Sequence, residues 1–308
     1  MSYAIGIDIG GTNLPVAIVD HRCRILDTIN KTTDSHDGPR AVVKRIHDSI
    51  RTLSKGKKNI TGIGLGVPGA VDTKKGTIIT SPNLSEWKNV PIQRMLQKET
   101  GLKVLIDNDA NCAAIGEHWV GSAKGVNNAI MITLGTGVGG GIIINGDIYR
   151  GSHGTAGELG HITIEENGRA CGCGNKGCLE AYASASGAVK TVKDLLTKTG
   201  TQSSLKGINS ISAYDIFLHA EQGDEIALKA LIISGKYLGV GIAAFANIFD
   251  PDMIIIGGGF SDAEKYLVPV AIDEAYKQSF KTVMDKIKIK KASLGNNAGI
   301  IGAAKLAF

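Results

Sequence analysis

The stretch Ala4-Ile-Gly-Ile-Asp-Ile-Gly-Gly-Thr-Asn-Leu-Pro-Val-Ala-Ile-Val19 sets two apolar runs on either side of a polar segment that contains two glycines. Short apolar runs bounded by Gly, Thr and Asn are typical of buried strands joined by a turn. The stretch therefore predicts a β-hairpin with a glycine-rich tip at residues 10–13. Asp8 would end the first strand, beside that tip.

A second stretch of the same kind begins 125 residues further along. Residues 129–134 (AIMITL) predict a strand, residues 135–141 (GTGVGGG) a glycine-rich turn, and residues 142–144 a returning strand. At this offset Ala4-Ile5 matches Ala129-Ile130, and Gly10 matches Gly135. The match predicts an internal duplication, two related domains that each present a glycine hairpin tip. A chance likeness between two glycine-rich hairpins is the alternative.

Strands and helices are predicted in an α/β order along the rest of the chain. A polar connection rich in Ser, Thr and Gly is expected at residues 197–212. Asp109 is the predicted N-cap of the helix that it opens. Further strands are predicted at 24–30, 60–67, 102–106 and 253–256, and helices at 39–53, 109–119, 213–222, 224–249 and 299–307.

Composition excludes several classes of protein. The 308 residues are 43% apolar and 20% charged, which suits a folded chain of two domains. The net charge is only +5, and the densest basic run, Lys286–Lys291, alternates with Ile as an edge strand does. Nucleic-acid binding is therefore not expected.

The location of the protein is predicted from what its sequence lacks. The longest near-apolar run, Tyr237–Phe249, is shorter than the ~20 residues of a membrane span, and no secretory signal is recognisable at Met1. Five cysteines in a chain without a signal do not suggest a disulfide framework. We therefore expect a cytoplasmic protein without membrane contact.

The glycine-rich segments predict phosphate binding. Residues 64–69 and 135–140 fit G-x-G-x-x-G, but neither is followed by the helix that a dinucleotide fingerprint requires. A hairpin tip without Cβ atoms can instead turn several N–H groups toward phosphate oxygens. Thr12 and Thr136 add hydroxyl donors, and Asp8 could hold Mg²⁺ through water. Two matched tips and a triple glycine at 257–259 favour this interpretation over simple tight turns.

A cysteine cluster predicts a structural metal site. Three of the five cysteines lie within Cys171-Gly-Cys-Gly-Asn-Lys-Gly-Cys178, and His161 precedes them by ten residues. Three thiolates and one imidazole form a complete shell for Zn²⁺ without an open position for chemistry. Three reduced cysteines in a turn, or a redox pair, are the alternatives, although C-x-C differs from the usual C-x-x-C. The predicted metal ligands are His161, Cys171, Cys173 and Cys178.

The glycine motifs resemble those of the sugar kinase, Hsp70 and actin superfamily. Asp8-Ile-Gly-Gly-Thr12 resembles its first phosphate motif, Leu134-Gly-Thr-Gly-Val-Gly-Gly-Gly141 the second, and Ile256-Gly-Gly-Gly-Phe260 the adenosine motif. The resemblance implies two duplicated ribonuclease H-like domains of the actin/hexokinase type, with ATP in an interdomain cleft. We expect a smaller domain at 1–118 plus 298–308 and a larger one at 119–297. The implied nucleotide-binding residues are Asp8, Gly10, Gly11, Thr12, Asn13, Thr136, Gly137, Gly257 and Gly258.

A second resemblance is narrower. Gly157-Glu-Leu-Gly-His161, the cysteine cluster and Leu179-Glu-Ala-Tyr-Ala-Ser184 together resemble the ROK family (repressors, open reading frames, kinases), and the likeness runs from residue 4 to about 306. A sugar kinase needs a base beside the acceptor hydroxyl, and Asp107-Asn-Asp-Ala-Asn111 offers two carboxylates. The resemblance implies Asp109 as that base, although a cap for the helix is the commoner use of such an Asp. The implied sugar contacts are Asn83, Asn108, Glu158, His161 and Glu180.

The ROK resemblance implies ATP-dependent phosphorylation of the 6-hydroxyl of a hexose, with glucose as the expected substrate and a homodimer or higher homo-oligomer as the expected assembly. Kinases of N-acetylmannosamine, N-acetylglucosamine or fructose are alternatives with the same motifs. A sugar-sensing repressor is a further alternative, which needs a DNA-binding segment ahead of the strand at residue 4. Pro15 departs from the family pattern and suggests an edge strand or a bulge.

Overall fold

Strands and helices alternate along much of the chain in the computed structural model, which describes residues 1–81, 83–84, 87–198, 200 and 202–308. The strands are β1 (Tyr3–Asp8), β2 (Asn13–Asp20), β3 (Ile25–Thr32), β4 (Ile60–Val67), β5 (Ala70–Asp72), β6 (Thr77–Thr80), β7 (Lys88–Val90), β8 (Val104–Asn108), β9 (Ala129–Leu134), β10 (Val138–Ile144), β11 (Asp147–Ile148), β12 (Met253–Gly257) and β13 (Lys288–Lys291). The helices are α1 (Pro39–Leu53), α2 (Ile92–Thr100), α3 (Asp109–Val120), α4 (Glu180–Ala183), α5 (Ala185–Lys198), α6 (Ala213–Glu221), α7 (Glu225–Phe249), α8 (Glu264–Gln278), α9 (Lys281–Met284) and α10 (Ala298–Leu306).

The first sheet brings three strand ends to one edge. Its order is β3-β2-β1-β4-β8, and β1, β4 and β8 run parallel. In this register Asp8 lies opposite Gly66, and Gly66 lies opposite Asp107. The carboxyl ends of parallel strands are where open α/β sheets place their ligands. The two predicted acidic segments, at Asp8 and at Asp107–Asp109, therefore share one edge of this sheet.

The second sheet repeats the topology of the first. Its order is β11-β10-β9-β12-β13. The pair β10–β11 is antiparallel, as β2–β3 is, and the pair β12–β13 is parallel, as β4–β8 is. The correspondence confirms the predicted duplication. The lysine-rich segment forms β13 at the edge of this sheet, also as predicted, whereas the small third sheet β5-β6-β7 was not foreseen.

The described chain divides into two compact units. The first comprises Met1–Met131, Gly141–Gly157 and Ala292–Phe308, and the second comprises Ile132–Gly140 and Glu158–Lys291. The predicted domain boundaries after residues 118 and 297 remain a prediction.

In the first unit, helices cover both faces of the first sheet. The apolar face of α1, which the sequence placed at helical spacing, is buried at Val42, Val43, Ile46, Ile50 and Leu53. On the other side the backbone of α10 lies so close to β1 and β4 that a Cβ at Gly6 or Gly64 would overlap with its carbonyl oxygens. Gly64 is the first glycine of the G-x-G-x-x-G segment at 64–69. Its role is to let α10 pack closely on the sheet, and not to bind a dinucleotide.

Among the described residues, α7 alone is long and apolar enough to cross a membrane by length and composition, and 61% of its most apolar window is buried within the protein. Buried core helices pass the same test. Gly235 and Gly239 face the backbone of α8, where a Cβ would crowd the carbonyls of Leu267 and Ala271. Gly235 and Gly239 thus allow α7 and α8 to pack closely.

Pro15 does not mark an edge strand or a bulge, so that expectation is wrong. Strand β2 lies between β1 and β3, Pro15 is opposite Asn30, and the irregularity in this pair falls at Ile18/Val19. The pairing of β1 with β2 ends at Ile7 and Val16. Pro15 therefore lies just beyond the β1 ladder, where its missing N–H removes no hydrogen bond to β1.

Candidate functional site

The corner between β8 and α3 is capped by Asn108, and not by Asp109 as the sequence suggested. The Asn108 side-chain oxygen accepts the N–H groups of Ala110 at 2.9 Å and Asn111 at 3.2 Å. Its amide group donates to the carbonyl of Gly69 at 3.1 Å. These three bonds leave the Asn108 side chain one amide N–H for a ligand.

Asp109 is freed from the capping role and occupies the first position of α3. Its side chain is half-buried, and one carboxylate oxygen accepts the N–H of Ala110 at 2.9 Å. The partial positive charge of a helix N-terminus interacts favourably with a negatively charged side chain there. A partly exposed carboxylate at this corner can accept a proton from a bound hydroxyl, as a general base does.

Asp107 has a different environment from its neighbour. It is buried, and one oxygen accepts the N–H of Asn108 at 2.8 Å and the side-chain amide of Asn111 at 2.9 Å. The other oxygen accepts from Nε and Nη2 of Arg150 at 2.8 and 2.7 Å. Asp107 is therefore fully paired and fixes the corner that carries Asn108 and Asp109.

The first glycine tip is held by a residue that the sequence did not single out. Buried Thr33 donates its hydroxyl to the carbonyl of Gly10 at 2.7 Å, and its N–H to the carbonyl of Thr12 at 2.8 Å. The tip also closes on itself, because the N–H of Gly10 bonds to the carbonyl of Asn13 at 2.9 Å. Asn83 lies against this tip, since its Cβ is 3.3 Å from the position that a Cβ on Gly11 would take.

Asp8 ends β1 as a half-buried residue, and its carboxylate lies close to the backbone at Gly66 and Gly299. A Cβ on Gly299 would stand 2.6 Å from its Oδ2, and a Cβ on Gly66 3.6 Å from its Oδ1. Burial raises the pKa of Asp8 from 3.8 to about 6. Burial also raises the pKa of the neighbouring Cys112 thiol well above its usual range, and the charges of Asp107, Asp8 and Asp109 add to that effect. The charges of all three carboxylates therefore act on one buried thiol.

The second glycine tip is shorter than predicted. Strand β10 begins at Val138, and the tip comprises only residues 135–137. The carbonyl of Gly135 accepts the N–H of Ala185 at 2.9 Å, and the carbonyl of Thr136 accepts the hydroxyl of Ser186 at 2.8 Å. Helix α5 thus holds the carbonyl groups of this tip, as Thr33 holds those of the first.

Beside the second tip lies a cavity of about 460 Å³. Its walls combine glycine backbone with the aromatic rings of Tyr214 and Phe217 from α6. Gly258 does not line it: with φ +90° it packs against the backbone of Leu134, where a Cβ would overlap, and Gly257 is buried in β12. The residues that line the cavity are Gly135, Thr136, Ala185, Ala213, Tyr214, Phe217, Gly259, Phe260 and Ala263.

The four predicted metal ligands lie together. Their ligand atoms are all within 4.8 Å of one another, with Cys171 Sγ 3.7 Å from His161 Nδ1 and Cys173 Sγ 3.7 Å from Cys178 Sγ. Around a tetrahedral zinc ion with Zn–S bonds of about 2.3 Å, two sulfur atoms lie about 3.8 Å apart. The cluster is therefore compatible with a structural zinc ion.

Two acidic side chains flank this cluster. Glu158 Oε2 is 3.9 Å from His161 Nε2, the ring nitrogen opposite the one that faces Cys171. Glu180 Oε1 is 3.5 Å from Cys171 Sγ. The second unit thus brings Glu158, His161 and Glu180 together around the metal cluster.

Comparison with known proteins establishes the family. The sequence matches the model of the ROK family over residues 4–308. The chain belongs to the ROK family. A protein named glucokinase from Halalkalibacterium halodurans is 38% identical over 312 residues, which cover 99% of this chain and 94% of that one. A crystal structure of a ROK family glucokinase from Streptomyces griseus in complex with glucose and AMPPNP has a TM-score of 0.85 and 34% identity, and the match covers 99% of both chains.

Repressors also resemble this chain. The xylose repressor of Bacillus subtilis is 32% identical over 311 residues, which cover 99% of this chain and 76% of the repressor. The family match and the structural likeness to the ROK glucokinase confirm the predicted family and the actin/hexokinase-type fold.

Several residues of this ROK protein were missed because only the folded chain brings them to the site. Thr33 and Arg150 are far in sequence from the groups they bind, and Tyr214 and Phe217 come from a helix without any motif. Gly259 lines the cavity although Gly257 was predicted instead, because β12 extends one residue beyond the predicted strand and includes Gly257. The predicted residues themselves fall into two groups, one in each unit.

Proposed function

We propose that this ROK protein is an ATP-dependent hexokinase that phosphorylates the 6-hydroxyl of glucose. The observation that carries the proposal is the acidic edge of the first sheet, where Asp109 begins α3 without serving as its N-cap and Asp8 ends the strand beside a glycine tip. The full-length likeness to glucokinases, one of them solved with glucose and AMPPNP, supports it.

Asp109 acts as the general base. Its carboxylate accepts the proton of the 6-hydroxyl as the sugar oxygen attacks the γ-phosphorus of ATP, and ADP leaves with the electrons of the broken P–O bond. The N–H groups of the two glycine tips and the hydroxyls of Thr12 and Thr136 stabilise the charge on the phosphate oxygens. The remaining nucleotide-binding positions are Gly10, Gly11, Asn13, Gly137, Gly257 and Gly258, the last two by shaping the turn after β12.

Asp8 is the residue that would hold Mg²⁺. Its carboxylate is poorly solvated and has no hydrogen bond among the described residues, which is the situation that a cation relieves. When bound, the ion neutralises the charge that develops on the phosphates.

The sugar contacts in this proposal are those that the family resemblance implies, Asn83, Asn108, Glu158, His161 and Glu180. Asn108 has one amide N–H left for a sugar hydroxyl. A zinc ion on His161, Cys171, Cys173 and Cys178 would fix the His161 ring through Nδ1 and leave Nε2 for a sugar hydroxyl.

A coupled assay of ADP release tests the proposal over glucose, mannose, fructose, N-acetylglucosamine and N-acetylmannosamine. We expect the highest kcat/KM with glucose and ATP, and loss of turnover on removal of Mg²⁺. Preference for an acetamido sugar would reassign the substrate within the kinases.

The second candidate is a sugar-sensing regulator, which the likeness to the xylose repressor favours. Binding of xylose or glucose by calorimetry, without phosphorylation of any sugar in the panel, would support that function instead. Light scattering on the same preparation tests the expected homo-oligomer.

A further inference from the structure

Val138 connects the second glycine tip to the residues around the metal cluster. It is the first residue of β10 and directly follows the tip at 135–137. Its N–H donates to Glu180 Oε2 at 3.0 Å. Its carbonyl oxygen lies where a Cβ on Gly160 would overlap with it, so the segment that carries Glu158 and His161 packs directly on the same residue.

The hydrogen bonds to the carbonyl groups of the tip come from residues that closely follow Glu180 in the sequence. The metal ligand Cys178 is buried, Glu180 follows it by two residues, and Ala185 and Ser186 bind the carbonyl groups of the tip. Glu180 is the only ionisable residue among these three partners of the tip. A carboxylate that accepts a backbone N–H makes a stronger hydrogen bond than a neutral acceptor does.

Gly137 shows how closely Glu180 and the tip are matched. A Cβ on Gly137 would overlap with Glu180 Oε2, while the φ of Gly137 is not one that requires glycine. A side chain at this position would therefore displace the Glu180 carboxylate.

We propose that Glu180 is a positioning residue for the nucleotide-side tip as well as a sugar contact, and that it thereby couples the binding of the two substrates. The inference rests on the proposed function. Oε2 fixes the start of β10, and Oε1 is left on the side of the metal cluster for the sugar. A sugar that orders Glu180 also orders the tip, and by linkage a nucleotide on the tip strengthens sugar binding by the same factor.

The first test measures nucleotide binding without sugar. Calorimetry of Mg–AMPPNP is compared for the wild type, Glu180→Ala and Glu180→Gln. We expect Glu180→Ala to weaken nucleotide binding about tenfold or more, the loss of one charge-assisted hydrogen bond. Glu180→Gln should lose clearly less, because its amide oxygen still accepts the Val138 N–H. Glu166→Ala, which removes an exposed carboxylate from the same unit, is the control for charge and should not differ from the wild type.

The second test measures glucose binding without nucleotide. Gly137→Ala should displace the Glu180 carboxylate and weaken glucose binding, although residue 137 belongs to the nucleotide tip. The ratio of glucose affinities with and without Mg–AMPPNP should exceed one in the wild type and fall toward one in Glu180→Ala. Circular dichroism and zinc content show whether each variant is folded. If Glu180→Ala does not fold, the glucose affinity of Gly137→Ala still tests the proposal.

The outcomes are distinct. Nucleotide affinity that is unchanged in Glu180→Ala overturns the proposal, while glucose phosphorylation by the wild type still upholds the kinase function. Equal losses in Glu180→Ala and Glu180→Gln also overturn it, because the hydrogen bond to Val138 would then not be the cause. A wild type that binds neither ligand contradicts the proposed function itself.

Discussion

Replacing Asp8 by Asn should stabilise the folded protein at neutral pH while it abolishes Mg²⁺-dependent turnover. Burial raises the pKa of Asp8 from 3.8 to about 6, so the folded state holds the proton more tightly than the unfolded chain does. Between pH 4 and 6 the folded state therefore binds more protons, and its stability falls as the pH rises. The shift corresponds to an upper value of about 3 kcal/mol, reached above pH 6.

The measurement is the free energy of unfolding in urea at a series of pH values without Mg²⁺. Asn is neutral at every pH, so Asp8→Asn should exceed the wild type by up to about 3 kcal/mol at pH 7.5 and by little below pH 4. Taking the difference between the two proteins cancels the titration of all other groups.

Asp20→Asn is the matched control, because Asp20 lies on the same hairpin and titrates in the opposite direction. Burial raises the pKa of Asp20, but hydrogen bonds from Arg24 and Arg22 outweigh it and hold the pKa below 3.8. Its stabilising effect is present above that pH and lost as the pH falls through the lowered pKa, so Asp20→Asn should destabilise at neutral pH. If Asp8→Asn is no more stable than the wild type at pH 7.5, or if its advantage persists at pH 4, the desolvation argument is refuted.

Three further changes test the site. Asp109→Asn should lower kcat about 10²–10⁴-fold and alter stability by less than about 1 kcal/mol, because Asn108 makes the cap; near-normal turnover in the coupled assay would show that Asp109 is not the base. Arg150→Met leaves Asp107 buried without two of its hydrogen bonds and should cost about 2–4 kcal/mol in urea unfolding; adding Asp107→Asn should recover part of that loss, whereas strictly additive losses would contradict the pairing. Cys173→Ser should reduce metal content from about one zinc per chain and weaken glucose binding; active wild-type enzyme free of zinc by elemental analysis would contradict the metal assignment.

Local sequence patterns predicted the elements of this fold well. The bounds of α1, β4 and β9 agree with the predicted helix at 39–53 and strands at 60–67 and 129–134. In these segments burial, apolar spacing and turn residues point to the same structure. The predicted metal ligands also come together, because three of them lie in one short loop.

Choices between neighbouring residues were harder to predict. Both Asn108 and Asp109 can cap a helix, and only the position of Gly69 and of the Asp107–Arg150 pair settles which of them does. The roles of glycines were equally hard to predict. Gly64 and Gly137 occur in similar motifs, yet Gly64 contacts the backbone of α10 and Gly137 lies against the Glu180 carboxylate. Such roles depend on partners that are distant in sequence.

The close packing of α10 on the first sheet affects how the chain folds during synthesis. Strand β4 ends at Val67 and α10 begins at Ala298, so more than 200 residues are made between them. At about 5–20 residues per second, the surface of β1 and β4 at Gly6 and Gly64 waits for α10 for roughly 10–50 s. Throughout that interval the emerging sheet has an uncovered apolar face while the second unit is translated. Gly6 and Gly64 allow α10 to pack closely in the folded protein. During synthesis the same surface remains exposed until α10 has been translated, so the nascent chain needs another way to protect it from aggregation.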